Sequence, residues 1–241
     1  MTAAMHAIIL AAGKSKRLGA ITENTPKCLL SLGSTTILEH QIENLAANGI
    51  RTVSLVTGFC EDKIRETLGN AVHYISNSVY DTTNSIYSLW LALQEIRGSV
   101  IILNADVVFH PGILTNLIAS PYPDALAISF QGGMGDEEMK VTVRNEKIHD
   151  ISKDMDPSGA DGENVGIIKF SPQGRDALFE TVDELVGAGV VNAWAPRAFQ
   201  KMCASFDLYS VSTAGLPWIE IDFPEDLEEA RREIYPRICD G

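Results

Sequence analysis

An apolar run of strand length, Met5 to Ala11, breaks directly into Ala12-Gly13-Lys14-Ser15-Lys16-Arg17, and Thr25-Pro26-Lys27 follows closely. A strand that ends in small residues at a sheet edge offers bare backbone N–H groups to a ligand, and glycine lets that ligand come close. Lys14, Lys16, Arg17 and Lys27 gather cations at this junction, although the whole chain carries a formal net charge of −13. Leu10, Ala11, Ala12 and Gly13 therefore read as the floor of a triphosphate cradle, with Lys14, Arg17 and Lys27 as its charged walls. An ordinary solvated strand-to-helix turn shares the first half of this pattern but has no use for Lys27 behind Pro26. The spacing is neither GxGxxG nor GxxxxGK[ST], so neither the dinucleotide fingerprint nor the P-loop applies.

Strand-like runs recur at Thr52–Thr57, Val72–Ile75, Val100–Leu103 and Ala125–Ser129, with helical patterns between most of them. Ile37, Leu38, His40, Gln41, Ile42 and Leu45 form a helical stripe ended by Asn48-Gly49, and a helix from Glu61 to Leu68 is closed by Gly69-Asn70. Alternation of this kind predicts an α/β fold with a mostly parallel central sheet flanked by helices. After Ser129 the pattern changes to a hairpin, Met139–Val143 with Lys147–Ser152, and a polar loop, Asp156–Gly162. A strand at Val165–Phe170, helices from Pro172 to Val186 and near Pro196 to Cys203, a strand at Trp218–Ile221 and a helix from Pro224 complete the chain. The length suits one domain over residues 1–241, with a nucleotide-binding half to about residue 130 and an acceptor-side half beyond it.

Asn104-Ala105-Asp106 follows four apolar residues that suit a central strand, so its carboxylate is expected at the carboxyl edge where open α/β sheets bind ligands. Glu220-Ile221-Asp222 ends another strand, and alternation sends Glu220 and Asp222 to one side. A turn residue and a helix-start residue are the plain structural roles for Asp106 and Asp222. Taken with the cationic loop, the two aspartates suit Mg2+, which takes one or two carboxylates alongside phosphate oxygens and water.

The segment Asn77-Ser-Val-Tyr-Asp-Thr-Thr-Asn84-Ser85-Ile-Tyr-Ser-Leu-Trp90 opens a helix with Thr83, Asn84 and Ser85, residues suited to capping or to hydrogen bonds with a base or phosphate. LAAGKSKRL with TPKCLL resembles the N-terminal motif of nucleotidyltransferases that activate small phosphorylated metabolites. N-x-x-Y-x-x-x-N-S-x-Y-S-L resembles, more narrowly, the phosphocholine cytidylyltransferases and the cytidylyltransferases of phosphonates. The likeness continues through Glu138-Met-Lys140, Ile151-Ser-Lys153, Glu163-Asn-Val-Gly-Ile167 and Trp218–Asp226, which is nearly the whole chain. It implies a Rossmann-like nucleotidyltransferase fold with a small acceptor-binding hairpin and helical region. It also implies CTP as nucleotide, with Asn84 and Ser85 in its site, and Mg2+ held by Asp106 and Asp222. Lys27 and Arg17 would act with those aspartates in catalysis, while Lys140, Lys153, Glu163, Trp218 and Glu220 would face the acceptor. That acceptor would be phosphocholine, 2-aminoethylphosphonate or a hydroxyalkyl phosphonate.

The acidic balance argues against nucleic acid or an anionic membrane as partner, because phosphate backbones are repelled away from the local cation cluster. Cys28, Cys60, Cys203 and Cys239 lack ligand-like spacing and fit reduced thiols in the cytoplasm; no run reads as an export signal or membrane span. None of the five histidines accompanies a nucleophile motif, so covalent catalysis has no support. A phosphate acceptor, with a second pKa of about 6, is already ionised and needs no strong base. Tyr80, Tyr87, Trp194 and Trp218 suit either a cage for a quaternary ammonium or ordinary core packing. The apolar stretch from Val182 to Trp194 suits either core or a homodimer contact. A sugar-1-phosphate nucleotidyltransferase, a glycosyltransferase and a silent nucleotide sensor are the competing readings.

Overall fold

The computed structural model describes residues 5–131 and 134–239. Strand β1 (His6–Ala11) forms where the sequence is apolar on both sides, and Ala7, Ile8 and Ile9 are fully buried. Such two-faced burial marks a central strand covered by helices above and below. It pairs in parallel with β2 (Thr52–Thr57) on one side and with β4 (Val100–Asn104) on the other. β3 (His73–Ser76) extends the edge beyond β2, also in parallel.

Helices α1 (Ile37–Ala47), α2 (Glu61–Leu68) and α3 (Ser85–Glu95) make the crossovers that parallel pairing requires. α1 starts on a full capping box, in which Thr36 accepts from the Glu39 N–H and Glu39 accepts from the Thr36 N–H at 2.9 Å. Its buried Gln41 donates to the carbonyls of Asn104 and Val107, at 2.9 and 2.8 Å, and so ties down both sides of the turn that carries Asp106.

Beyond β4 the sheet becomes mixed. The short strand β5 (Val107–Phe109) and helix α4 (Pro111–Ala119) lead to β6 (Ala125–Ser129), which does not join β4. The hairpin β7 (Lys140–Arg144) and β8 (Lys147–Ser152) follows, turning through Asn145 and Glu146 at positive φ. Strand β9 (Gly162–Phe170) then inserts between β4 and β6, antiparallel to both. Helices α5 (Pro172–Gly187) and α6 (Pro196–Met202) precede β10 (Tyr209–Ser212), giving a nine-stranded order β3-β2-β1-β4-β9-β6-β10-β8-β7. The parallel character expected from the alternation thus belongs to β3, β2, β1, β4 and to the β6–β10 pair. One sheet runs through both halves of the chain.

Three buried clusters hold this together. One packs α3, α5 and α6 on one face of the sheet, and a second packs α1 and α4 on the other. The third lies beneath the N-terminal loop, where Leu18, Leu30 and Ile37 meet Val108, Ile221 and the C-terminal helical segment. That segment comprises α7 (Pro224–Glu229), a π turn at Ala230–Ile234 and α8 (Tyr235–Cys239). Among the described residues no helix is long and apolar enough to cross a membrane.

Candidate active site

The chain reverses direction across the sheet between β1 and β4, and a cleft of about 250 Å³ opens beyond their carboxyl ends. A switch of strand order is where such a crevice is expected. Leu10 to Gly13 form its floor, with Arg17, Lys27, Asn84, Ser85, Asp106, Lys153, Glu220 and Asp222 around it. Gly58 is part of the construction, because a Cβ there would meet the Ala12 carbonyl at 2.8 Å and Tyr80 at 2.7 Å.

Backbone pairing explains how acids so far apart in sequence meet. Strand β11 (Trp218–Glu220) pairs antiparallel with β5, setting Glu220 opposite Val107, and the Ile221 N–H donates to the Asp106 carbonyl at 3.0 Å. Asp226 accepts from the N–H groups of Asp222 and Phe223, at 2.8 and 2.7 Å, which fixes the chain as α7 begins. One carboxylate oxygen from each of Asp106, Glu220 and Asp222 then lies within 4.8 Å of the other two. Asp106 Oδ1 is buried without a hydrogen-bond partner. Hard oxygen donors grouped this closely, one of them orphaned, fit a divalent cation such as Mg2+.

The cations approach from the other side. Lys27, carried on a short turn after Pro26, sets its Nζ 2.9 Å from Asp106 and 2.8 Å from Asp222, and donates also to the Ile221 carbonyl. Burial opposes a charge on Lys27, but Asp106 and Asp222 outweigh it and hold the pKa well above the ordinary lysine value. Asp222 shows the converse: burial raises its pKa, while Lys27 and Arg17 bring it below the usual carboxylate range. Burial pushes Glu220 well up, reinforced by Asp106 and Asp222. Arg17 spans Asp222 at 2.7 Å and Glu137 at 2.9 Å, and stacks over Phe223.

The remaining residues singled out in the sequence are placed as follows. Asn84 caps α3 by accepting from the Ser85 N–H at 2.8 Å, and the Ser85 hydroxyl accepts from the Ala195 N–H at 2.8 Å, so both line the cleft while bracing it. Lys14 points its ammonium over the Tyr80 ring at 5.4 Å. Lys153 lines the cleft, 5.0 Å above the Trp194 ring. Lys140 is placed differently from an acceptor contact: it is fully buried and donates to the carbonyls of Gly135, Asp136 and Glu138 at 3.0–3.2 Å. Trp218 is paired through β11 with Phe109 and packs against the second core cluster, outside the cleft lining. Glu163 lies on β9 beside Lys140, also outside the lining, with its carboxyl pushed up to about 7 by burial and by Glu138. Residues that sequence reasoning left out of the site include Asn77, Ser88, Asn104, Met139 and Asn164. Buried Asn77 had a signal, because it heads the quoted Asn-Ser motif, and it donates to Thr83 and Ser88 at 3.1 Å.

Residues 7–205 match the MobA-like NTP transferase domain. The chain belongs to this family. The MobA-like NTP transferase match stops before β11, so Asp222 enters the site from beyond it. Among relatives, the choline-phosphate cytidylyltransferase of Streptococcus pneumoniae is 36% identical over 92% of this chain and 95% of its own length. The CTP:phosphoglutamine cytidylyltransferase of Campylobacter jejuni is 27% identical over 93% and 98%. A CMP-5'-(3-aminopropyl)phosphonate synthase of Streptomyces rubellomurinus is 36% identical over 52% of this chain but only 21% of that longer protein. In fold, the inositol-1-phosphate CTP transferase from T. maritima superposes with a TM-score of 0.83 at 21% identity, over 100% of this chain and 99% of that one. As a MobA-like NTP transferase, the protein is a nucleotidyltransferase.

Proposed function

We propose that the protein is a Mg2+-dependent cytidylyltransferase that transfers CMP from CTP to a small phosphorylated or phosphonate acceptor and releases pyrophosphate. One observation carries the reading: three carboxylates within 4.8 Å, one oxygen orphaned, face the Gly13 loop and two cations across a single cleft. The names of the full-length relatives, both cytidylyltransferases of small phosphorylated compounds, supply the base and the acceptor class.

In this reading the N–H groups at Ala12 and Gly13, with Arg17, hold the β and γ phosphates. Asp106 and Asp222 hold the magnesium, whose contribution is to neutralise charge on the phosphate oxygens. Lys27 stabilises charge at the α-phosphate. The start of α3, with Asn84 and Ser85, is the seat assigned to the base, and Lys153 meets the acceptor's anionic group. An acceptor oxygen bonds to the α-phosphorus while the bond to the bridging oxygen of pyrophosphate breaks. The oxygen is ionised already, so the chain's own work is positioning and charge compensation rather than proton removal.

The test is a matrix of the four common nucleoside triphosphates against phosphocholine, phosphonates and sugar 1-phosphates, followed by pyrophosphate release with and without EDTA. Turnover with CTP and a phospho- or phosphonate acceptor, abolished by EDTA, is expected. Turnover confined to sugar 1-phosphates, or CTP binding with no turnover on any acceptor, overturns the reading.

A further inference from the structure

We infer that Glu137 is a counter-ion shared by the two substrate subsites and positioned by buried Lys140, so that CTP and the acceptor each favour binding of the other; this rests on the cytidylyltransferase reading above. Glu137 Oε2 lies 2.9 Å from the Arg17 guanidinium and 3.9 Å from Lys153 Nζ. Both cations line the cleft, one from the N-terminal loop and one from just past β8, whereas Glu137 itself stands outside the lining. Arg17 is the residue assigned to the β and γ phosphates, and Lys153 the one assigned to the acceptor's anionic group. One carboxylate therefore meets the two positive groups that the two substrates need.

Lys140 explains why the carboxylate is there. Its side chain is fully buried, and an ammonium has three N–H donors to satisfy. It donates to three carbonyls of one turn, those of Gly135, Asp136 and Glu138, at 3.0–3.2 Å. Glu138 closes the same turn by accepting from the Gly135 N–H at 2.7 Å. Moving the turn away would strand a charge in the interior, so the backbone beneath Glu137 is held while its exposed side chain stays free to rotate.

The consequence is a coupling between substrates. With Glu137 turned inward, the first substrate to bind must displace it, and the second then finds its own cation already released. Both ligands select the same rotated state of Glu137, and linkage makes the effect reciprocal. Exposed ion pairs are weak and screened by salt, so the coupling due to Glu137 is expected at about 2- to 10-fold in low salt.

The experiment measures by calorimetry the Kd of α,β-methylene CTP, which cannot transfer its CMP, for the full chain in MgCl2, alone and with saturating phosphocholine or 2-aminoethylphosphonate. The acceptor is expected to tighten nucleotide binding about 2- to 10-fold more in the parent than in Glu137→Gln at low salt, with the difference lost at high salt. Lys140→Met keeps Glu137 but loosens its turn, and is expected to show the weaker coupling of Glu137→Gln; should it fail to fold, the exposed Glu137→Gln variant decides alone. Equal coupling in the parent and Glu137→Gln, or the parent's coupling in a folded Lys140→Met, overturns this inference only. No binding of the nucleotide analogue, or of either acceptor to the loaded chain, overturns it together with the reading beneath it.

Discussion

Replacing Lys27 with methionine keeps most of the side-chain volume and deletes one charge at the centre of the site. At 2.9 and 2.8 Å from Asp106 and Asp222, each attraction is worth about 6 kcal/mol gross at an effective dielectric near 20. Desolvation offsets most of that, and breaking a buried pair typically costs about 3–5 kcal/mol. Two features reduce the figure here. The two carboxylates keep 20–22% of their side-chain surface, and Asp222 retains Arg17 at 2.7 Å. The cost therefore falls mainly on Asp106, whose Oδ1 already lacks a partner, and we expect about 3 kcal/mol, or a melting temperature lower by about 6–12 °C. The assay is thermal and urea unfolding at pH 8 in EDTA, repeated with MgCl2, for the parent, Lys27→Met and Lys27→Arg. Magnesium is expected to stabilise Lys27→Met more than the parent, because the acids then have no ammonium to satisfy them. A Lys27→Met protein that melts with the parent in EDTA, or equal stabilisation of both by magnesium, would refute the reasoning.

Asp106→Asn and Asp222→Asn are each expected to reduce magnesium-dependent pyrophosphate release by about a hundredfold or more, whereas Lys27→Ala lowers kcat more than it raises the KM for CTP. Retained magnesium-dependent turnover in the aspartate variants argues against the metal assignment. Glu163 titrates near 7 in the fold against 4.5 ordinarily, so it favours folding below pH 4.5 and that contribution is lost as pH rises through 7. The parent should lose up to about 3 kcal/mol over this window, less what solvent screens at the half-buried carboxyl, and Glu163→Gln should show a flatter profile in urea unfolding between pH 4.5 and 8. Glu137→Gln frees the exposed Arg17 from an ion pair worth about 0.2–1 kcal/mol, so the KM for CTP should fall about 1.5- to 5-fold at low salt and not at high salt.

Local chemistry made the Gly13-loop side of the cleft legible. Small residues after β1, the apolar run ahead of Asp106 and the Asn84 cap all act over a few residues, and Glu220 with Asp222 could be placed on one side by alternation alone. What alternation cannot encode is strand direction. Val165–Phe170 is equally apolar whichever way it runs, and only in the fold does β9 slot antiparallel between β4 and β6. Lys140 was illegible for a related reason, since the three carbonyls that satisfy its ammonium come together only when residues 135–138 fold over it. Trp218 packs against the second core cluster because β11 pairs with β5, a juxtaposition for which neither strand carries a sequence signal. Asn164 and Met139 reach the cleft by the same tertiary route.

The third core cluster gives the site a dependence that the two sheet faces do not share. Arg17 and Lys27 flank Leu18 and Leu30, Asp222 adjoins Ile221, and all three apolar residues are packed with Leu227 and Ala230 in one small cluster under the cleft. The distance between cations and acids is thus set by a core of its own, assembled from the N-terminal loop and the C-terminal helical segment. Leu227, 2% exposed on α7, is the residue to truncate. Leu227→Ala should cost about 2–4 kcal/mol through lost burial and the cavity left behind. The main sheet and its two facing clusters do not include Leu227, so its far-ultraviolet circular dichroism at 20 °C should match the parent's. Pyrophosphate release at that temperature should nevertheless fall, with kcat more affected than KM, because Asp222 can drift from Lys27 before the sheet unfolds. Full activity in a folded Leu227→Ala protein would mean that β11 pairing alone holds Asp222 in register, and that the small cluster serves stability only.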